Sequence, residues 1–391
     1  MNTARATSVD GSTDQADRAP SVPDRRRDQV LLAMIGAAAV VAAGYPSYIA
    51  HPITLLTPAP LLVALVLTAG YRVVAPVWAV VVVVLVGWTG LLFLATDGTF
   101  YGLVYTVAMY APFAVLAVTI RRAQAVALAF AVATSFLVAV RMGVSWVRSG
   151  AVLLPWKVDE GNDMSARLNM TLPLVLLAWL AVPEVHRWTR RLLLGLVVSG
   201  VAAIVVAQQR AGMGVLAVLV VVGLARTSRI GLGGLAVGAG LVWVLAQTWV
   251  VAALERARFL RFRPSSASRP QIWEVAFGAA ADSGWIGVGP GNVNEALRAV
   301  DDRHAHNGFV QATLEAGLPG ALLYTALATY LLVLAVRLLW RGGQDTLWAL
   351  SLLAYLGFSV VSSPLLRPDF SLVLVVVVMG ARARLAERSH P

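Results

Sequence analysis

Long apolar runs alternate along this chain with short polar connections, many of which carry arginine. Runs such as Val73 to Thr96 and Gly317 to Val336 suffice to cross a bilayer, which takes roughly 20 residues per helix. The pattern predicts about twelve spans, centred near Ala38, Leu65, Val84, Met109, Ala131, Val175, Val198, Leu219, Val244, Leu322, Leu353 and Val375. Backbone polar groups in lipid must be satisfied within each segment, so the expected fold is an all-α integral membrane bundle. Residues 1–28 are polar, end near the run Arg25-Arg26-Arg27 and lack a core-forming pattern. They are expected to be a disordered cytoplasmic tail ahead of one polytopic domain over residues 29–391. No cleavable signal precedes the first span, which is expected to serve as an uncleaved signal-anchor.

Composition supports the membrane reading. Hydrophobic residues make up 59% of the chain and charged residues 13%, against an apolar share of roughly 45–50% in soluble domains. The chain contains no cysteine, which excludes disulfides, thiolate catalysis and Cys-ligated metal. The net charge of +11 is explained by orientation better than by nucleic-acid binding. Arg72, Arg121-Arg122, Arg187, Arg190, Arg191, Arg226, Arg229, Arg337, Arg341, Arg382, Arg384 and Arg388 fall on the same side as Arg25 to Arg27. The short connections Tyr45 to Thr54 and Asp97 to Phe100 carry no Lys or Arg, and Arg367 is an outward exception. The positive-inside rule then places both termini in the cytoplasm. Two longer loops face outward: roughly Arg141 to Arg167, and residues 254–305.

Candidate chemistry collects on that outer side. Arg210 lies in the turn Gln208-Gln209-Arg210-Ala211-Gly212 between two apolar spans. It is either a snorkelling interfacial arginine or a fork for phosphate oxygens. The long loop opens with Leu254 to Arg263, where arginines alternate with Phe and Leu as in a helix lying on a membrane surface. Arg269 precedes a helix start marked by Pro270, a reasonable diphosphate site or a loop ion pair. The glycine run containing Gly289 and Gly291 is a shaped turn, or a cradle of backbone N–H groups for an anion. A second short helix is expected from Asn292 to Val300, followed by Asp301, Asp302 and Arg303. His306 and Asn307 stand where the loop re-enters the apolar bundle. Ionisable groups in such places are costly and usually functional. His306 is a helix-capping residue or a general base for an attacking hydroxyl, with Asp301, Asp302 and Glu315 as partners or competing bases. His304-x-His306 beside carboxylates is a weak metal signature, and no metal is expected.

This arrangement resembles the O-antigen ligase family, polytopic membrane glycosyltransferases with a motif of His, then Asn, Ser or Gln, nine residues, and Gly-x-x-Gly. The chain supplies His306, Asn307, Gly317 and Gly320 in that spacing. The segment Gly287 to Asn292 and Arg269 in its Arg-x-x-x-Trp setting also look like the family's outer loop. The turn at Arg210 is similar to the family's Ser-Arg-Gly turn, with Gln209 in place of serine. The resemblance implies a GT-C-like bundle whose extracytoplasmic loop, residues 254–305, carries short amphipathic helices and catalytic residues. It also implies a polyprenyl-diphosphate-linked glycan donor and a glycan, lipid or protein acceptor, with no cofactor and no nucleic acid partner. Carried over residue by residue, Arg210 and Arg269 bind the diphosphate and His306 deprotonates or orients the acceptor hydroxyl. Asn307, Arg303, Gly289 and Gly291 complete the expected substrate-binding set. Transfer at the outer face of the cytoplasmic membrane then inverts the anomeric carbon. A repeat-unit polymerase shares this chemistry and remains open. A solute transporter is the more distant alternative, because transporters gather polar residues near the midplane.

Overall fold

The computed structural model describes residues 25–43, 57–96, 99–148, 158–206, 210–227, 269–300, 305–361 and 368–387. The tail before Arg25, the span centred at Val244, the stretch Leu254 to Arg263 and Arg303 lie outside the described residues.

In chain order the helices are α1 (Arg25–Ala42), α2 (Pro58–Ala69), α3 (Val77–Ala95), α4 (Phe100–Tyr110), α5 (Ala123–Arg148), α6 (Val158–Ala181) and α7 (Arg187–Val206). They continue with α8 (Arg210–Thr227), α9 (Arg269–Asp282), α10 (Val293–Ala296), α11 (Gly308–Arg341), α12 (Asp345–Val361) and α13 (Pro368–Glu387). Each expected span centre that falls on described residues sits on one of these helices. Four of the described helices carry stretches long and apolar enough to cross a membrane: Val77–Ala95, Ala123–Val144, Asp163–Ala181 and Gly308–Arg341. The chain is thus mostly helical, as expected of an all-α membrane protein. One exception is a ribbon of β1 (Tyr71–Val73) and β2 (Val118–Ile120), antiparallel with Arg72 opposite Thr119. The ribbon forms because the chain stops being α-helical at Gly70 and again where a 3-10 turn carrying Pro112 ends at Ala117.

The first of the two longer loops differs from its expected extent. α5 runs on to Arg148 and α6 begins at Val158, so Arg141 and Arg167 are both helical rather than loop residues. Tertiary packing holds them there. Arg141 donates to the Ala43 carbonyl at 2.8 Å, and the Arg167 guanidinium sits 4.5 Å from the centre of the Phe370 ring.

α13 forms the centre of the bundle. It is buried on every side from Phe370 to Ala381, as a helix that is apolar all round must be. Trp348 of α12 fills the space above Gly380, where any side chain would collide with its ring. Arginines near the ends of several helices meet at one end of the bundle. Arg27 donates to the Thr68 carbonyl, Arg382 to that of Leu116 and Arg341 to that of Leu385. Arg384 pairs there with the fully buried Asp345 at 2.7 Å.

The other end is organised by a break in α11. Gly317 has φ 65° and ψ −153°, and Pro319 follows two residues later. Proline has no N–H and excludes the normal bond to the carbonyl four residues back, that of Glu315. The loop after α9 repairs the damage. Gly289 donates to the Glu315 carbonyl at 3.2 Å and Val288 to the Leu314 carbonyl at 2.9 Å, while Leu318 donates to the Trp285 carbonyl at 2.9 Å. Trp88 of α3 caps the Ala316 carbonyl through its indole N–H at 3.0 Å. Buried backbone groups left unpaired would each cost about 1–3 kcal/mol, so loop and break stabilise each other.

Gly317→Ala therefore faces both a left-handed φ and the Trp285–Ile286 backbone in direct contact. We expect it to lower the unfolding midpoint in detergent strongly, by the equivalent of about 2–4 kcal/mol. Gly143→Ala, with nothing within 4 Å of the added carbon, should leave the midpoint unchanged or raise it. Equal midpoints for the two variants would show that the break is not a fixed part of the fold.

Candidate active site

α9 starts at Arg269 with Pro270 in its first turn and ends at Ser283-Gly284, where Gly284 takes a φ of 67°. Such left-handed ends stop helices cleanly. Ser283 then turns its hydroxyl to receive the Gly287 N–H at 3.2 Å, which starts the glycine loop in the required direction. α9 buries Ile272 and Ala276 against Val293, Leu297, Ala305, Val310 and Leu314. This small core, separate from that of the bundle, fixes α9 onto the first half of α11.

His306 lies at the junction of these pieces. It is half-buried and adopts a φ of 52°, uncommon for a residue with a side chain. Both neighbours are clamped. Ala305, fully buried, donates its N–H to Gln311 Oε1 at 2.9 Å and accepts the Trp273 indole N–H on its carbonyl at 2.8 Å. Asn307 caps α11: its side-chain oxygen accepts from Phe309 at 2.9 Å and from Val310 at 3.2 Å. The Asn307 amide donates to the Val360 carbonyl at 3.2 Å. Gly308 follows because the Tyr324 ring occupies the place of a side chain. The imidazole is thus presented from a backbone held on both sides.

The expected site residues fall around this junction in different ways. Arg269 is exposed and lies one turn before Trp273 on the same face of α9, since residues four apart are helical neighbours. The helix that anchors Ala305 therefore also carries Arg269. Arg210 is the first residue of α8. Val215 of α8 packs on Gly357 of α12 and Gly223 on Leu350, an antiparallel arrangement. Arg210 and Asn307, bonded to Val360, consequently flank the same end of α12. Asn169 secures the start of α8 through a 3.1 Å bond to the Gly212 carbonyl, and Ser165 fills the space a side chain at position 212 would need. Gly212 thus permits close approach of α6 and α8.

Gly289 and Gly291 have φ near 90°, at 87° and 89°. Thr96 blocks a side chain at the first position, and Thr99 does so at the second. The Gly289 N–H is already given to Glu315, so this glycine's visible duty is to seat the loop on the broken helix. Glu315 is buried and within electrostatic reach of Tyr110 on α4.

Several residues that shape this end had no role assigned from the sequence. Trp273, Gln311 and Trp88 hold backbone carbonyls or N–H groups; the Arg-x-x-x-Trp spacing marked Trp273 without its role, and a polar Gln311 in an apolar helix was the other signal. Arg167, buried at 1% exposure on α6, was masked by the acidic residues preceding it. A buried intramembrane arginine ordinarily marks a functional region.

Helices able to span a bilayer and a broken helix seated by the glycine loop define a polytopic membrane protein with one elaborated end. The family model described as O-antigen ligase matches residues 194–325. The matched segment runs from α7 through Arg210, α9, the glycine loop and His306 to beyond Gly320, so over this part the chain is similar to that family. No curated protein matches the chain. The match supports an O-antigen ligase- or polymerase-like function in general.

Trp273→Phe keeps the ring and removes only the donor to Ala305. We expect transfer of a lipid-linked glycan to fall about tenfold or more, with an unfolding midpoint reduced by no more than about 1 kcal/mol in equivalent stability. Unchanged transfer would show that the indole bond does not position His306.

Proposed function

We propose that this protein is a glycosyltransferase that moves a glycan from a polyprenyl diphosphate to an acceptor hydroxyl at the outer face of the cytoplasmic membrane. Both termini then lie in the cytoplasm, as the arginine bias of the short connections suggests. Residues 254–305 form the extracytoplasmic catalytic loop. The observation that carries this reading is the clamped presentation of His306, on a segment matching the O-antigen ligase family, beside the helix bearing Arg269.

In the proposed reaction the acceptor oxygen attacks the anomeric carbon of the donor sugar from the face opposite the diphosphate. The carbon–oxygen bond to phosphate breaks, its electron pair leaves with the polyprenyl diphosphate, and the anomeric configuration inverts. His306 takes the hydroxyl proton. Arg210 and Arg269 bind the diphosphate and stabilise the charge that grows on it, with Arg303 as a further contact. Their planar forks match phosphate oxygens, so the leaving group is stabilised without a metal. Asn307, whose amide is committed to the cap of α11 and to Val360, acts by holding the neighbouring His306. The acceptor is a glycan, a lipid or a protein. A second lipid-linked repeat as acceptor would make the same chemistry a polymerisation.

The test is a proteoliposome assay with a lipid-diphosphate oligosaccharide donor, comparing wild type with His306→Ala and adding a chelator in parallel. Donor consumption with release of lipid diphosphate, insensitive to chelator and reduced at least about 100-fold in the variant, is expected. No turnover across a broad donor and acceptor panel would remove the proposal. Arg269→Lys should also lose about 100-fold, because an ammonium cannot reproduce a two-point contact; near-normal turnover would remove Arg269 from the diphosphate site.

A further inference from the structure

The end of the bundle away from His306 carries a second concentration of cations. Arg167, at the His306 end, packs over Phe370 at the start of α13. Trp179 lies three turns further along α6, about 18 Å away at 1.5 Å per residue. There the turn from α6 to α7 forms an open cleft lined by Trp179, Glu184, Arg187, Arg190, Arg191 and Leu194. Three guanidinium groups face one carboxylate. Glu184 pairs with Arg190 at 3.3 Å, and Arg190 also lies 5.0 Å from the centre of the Trp179 ring. Arg191 sits 5.3 Å from the centre of the Trp188 ring. Neither Arg187 nor Arg191 has a carboxylate partner among the described residues, and the first turn of α7 contains no acidic residue.

The surroundings of the cleft indicate the form in which an anion arrives. Leu180, Val185, Trp188 and Leu192 beside it are exposed, Val185 at 79% and Trp188 at 76%. Apolar side chains in such positions next to a basic cleft suit acyl chains and the interfacial zone of a bilayer. Stacking on Trp179 and Trp188 holds two of the guanidinium groups in place, and forks of this kind bind phosphate oxygens at two points.

We propose that this cleft binds the phosphate head group of an anionic phospholipid in the leaflet opposite the His306 site. Arg187 and Arg191 contact the phosphate, Arg190 is held by Glu184 as the wall, and the exposed apolar side chains carry the acyl chains. The site is independent of the transfer reaction proposed above and stands whether or not that reaction is correct.

The test is native mass spectrometry of the full-length protein released from detergent, titrated with phosphatidylglycerol and, separately, with phosphatidylcholine. Wild type should retain phosphatidylglycerol in preference to phosphatidylcholine. The double variant R187Q/R191Q should weaken phosphatidylglycerol retention about tenfold or more. R72Q/R337Q, which removes the same charge outside the cleft, should retain the lipid like wild type. Equal retention of the two lipids by wild type would overturn the proposal without reference to any variant. Equal losses in the two double variants would also overturn it, by showing attraction to a generally basic surface. Displacement of bound lipid by millimolar inorganic phosphate would overturn the assignment to a lipid in favour of a simple anion site.

Discussion

The His306 end of this protein depends on an exchange of backbone hydrogen bonds between a broken helix and a distant loop. Gly317 and Pro319 interrupt α11 and leave the Leu314 and Glu315 carbonyls without their usual donors. Val288 and Gly289 supply those donors, and Trp285 receives the N–H of Leu318. A side chain at Gly287 would collide with the Gly317 backbone, and one at Gly317 with the Trp285–Ile286 backbone. The loop is thereby fixed to the first half of α11, the half that begins with the His306–Asn307 pair. Without the exchange, α9 and its Trp273 contact to Ala305 would rest only on a small apolar core.

This arrangement explains why the histidine-to-glycine spacing is a physical unit. The nine residues between Asn307 and Gly317 make the short helical piece between the cap and the break. One of its ends presents the imidazole and the other receives the glycine loop. Lengthening or shortening the piece would rotate His306 relative to the loop by about 100° per residue, the step of an α-helix. The glycine pair and the histidine thus belong to one mechanical element, even though they lie at its opposite ends.

Much of the fold was legible because a lipid-spanning helix needs a long apolar run, and such runs stand out along the chain. The cap at Asn307 and the helix start at Pro270 were legible for a similar reason, since local chemistry decides them. The shorter first loop was not. Arg141 and Arg167 read as loop boundaries, and contacts to Ala43 and Phe370, far away in sequence, help show why both stay helical. The β1–β2 ribbon escaped notice because three-residue strands leave no periodic signature. At the site, the types of residue were readable but their division of labour was not. Gly289 looked available for an anion until its N–H was seen to serve Glu315. Trp273 was visible as part of a spacing, but its partner is a backbone carbonyl that leaves no mark in the sequence.

The most direct test of the central claim is photo-crosslinking with a polyprenyl diphosphate that carries a diazirine beside the diphosphate, followed by peptide mapping of the full-length protein in lipid. Labelling concentrated in Arg269 to Trp273 and in Ala305 to Phe309 is the result this account predicts. Labelling confined to the α6–α7 turn, or spread evenly over the lipid-facing helices, would contradict it.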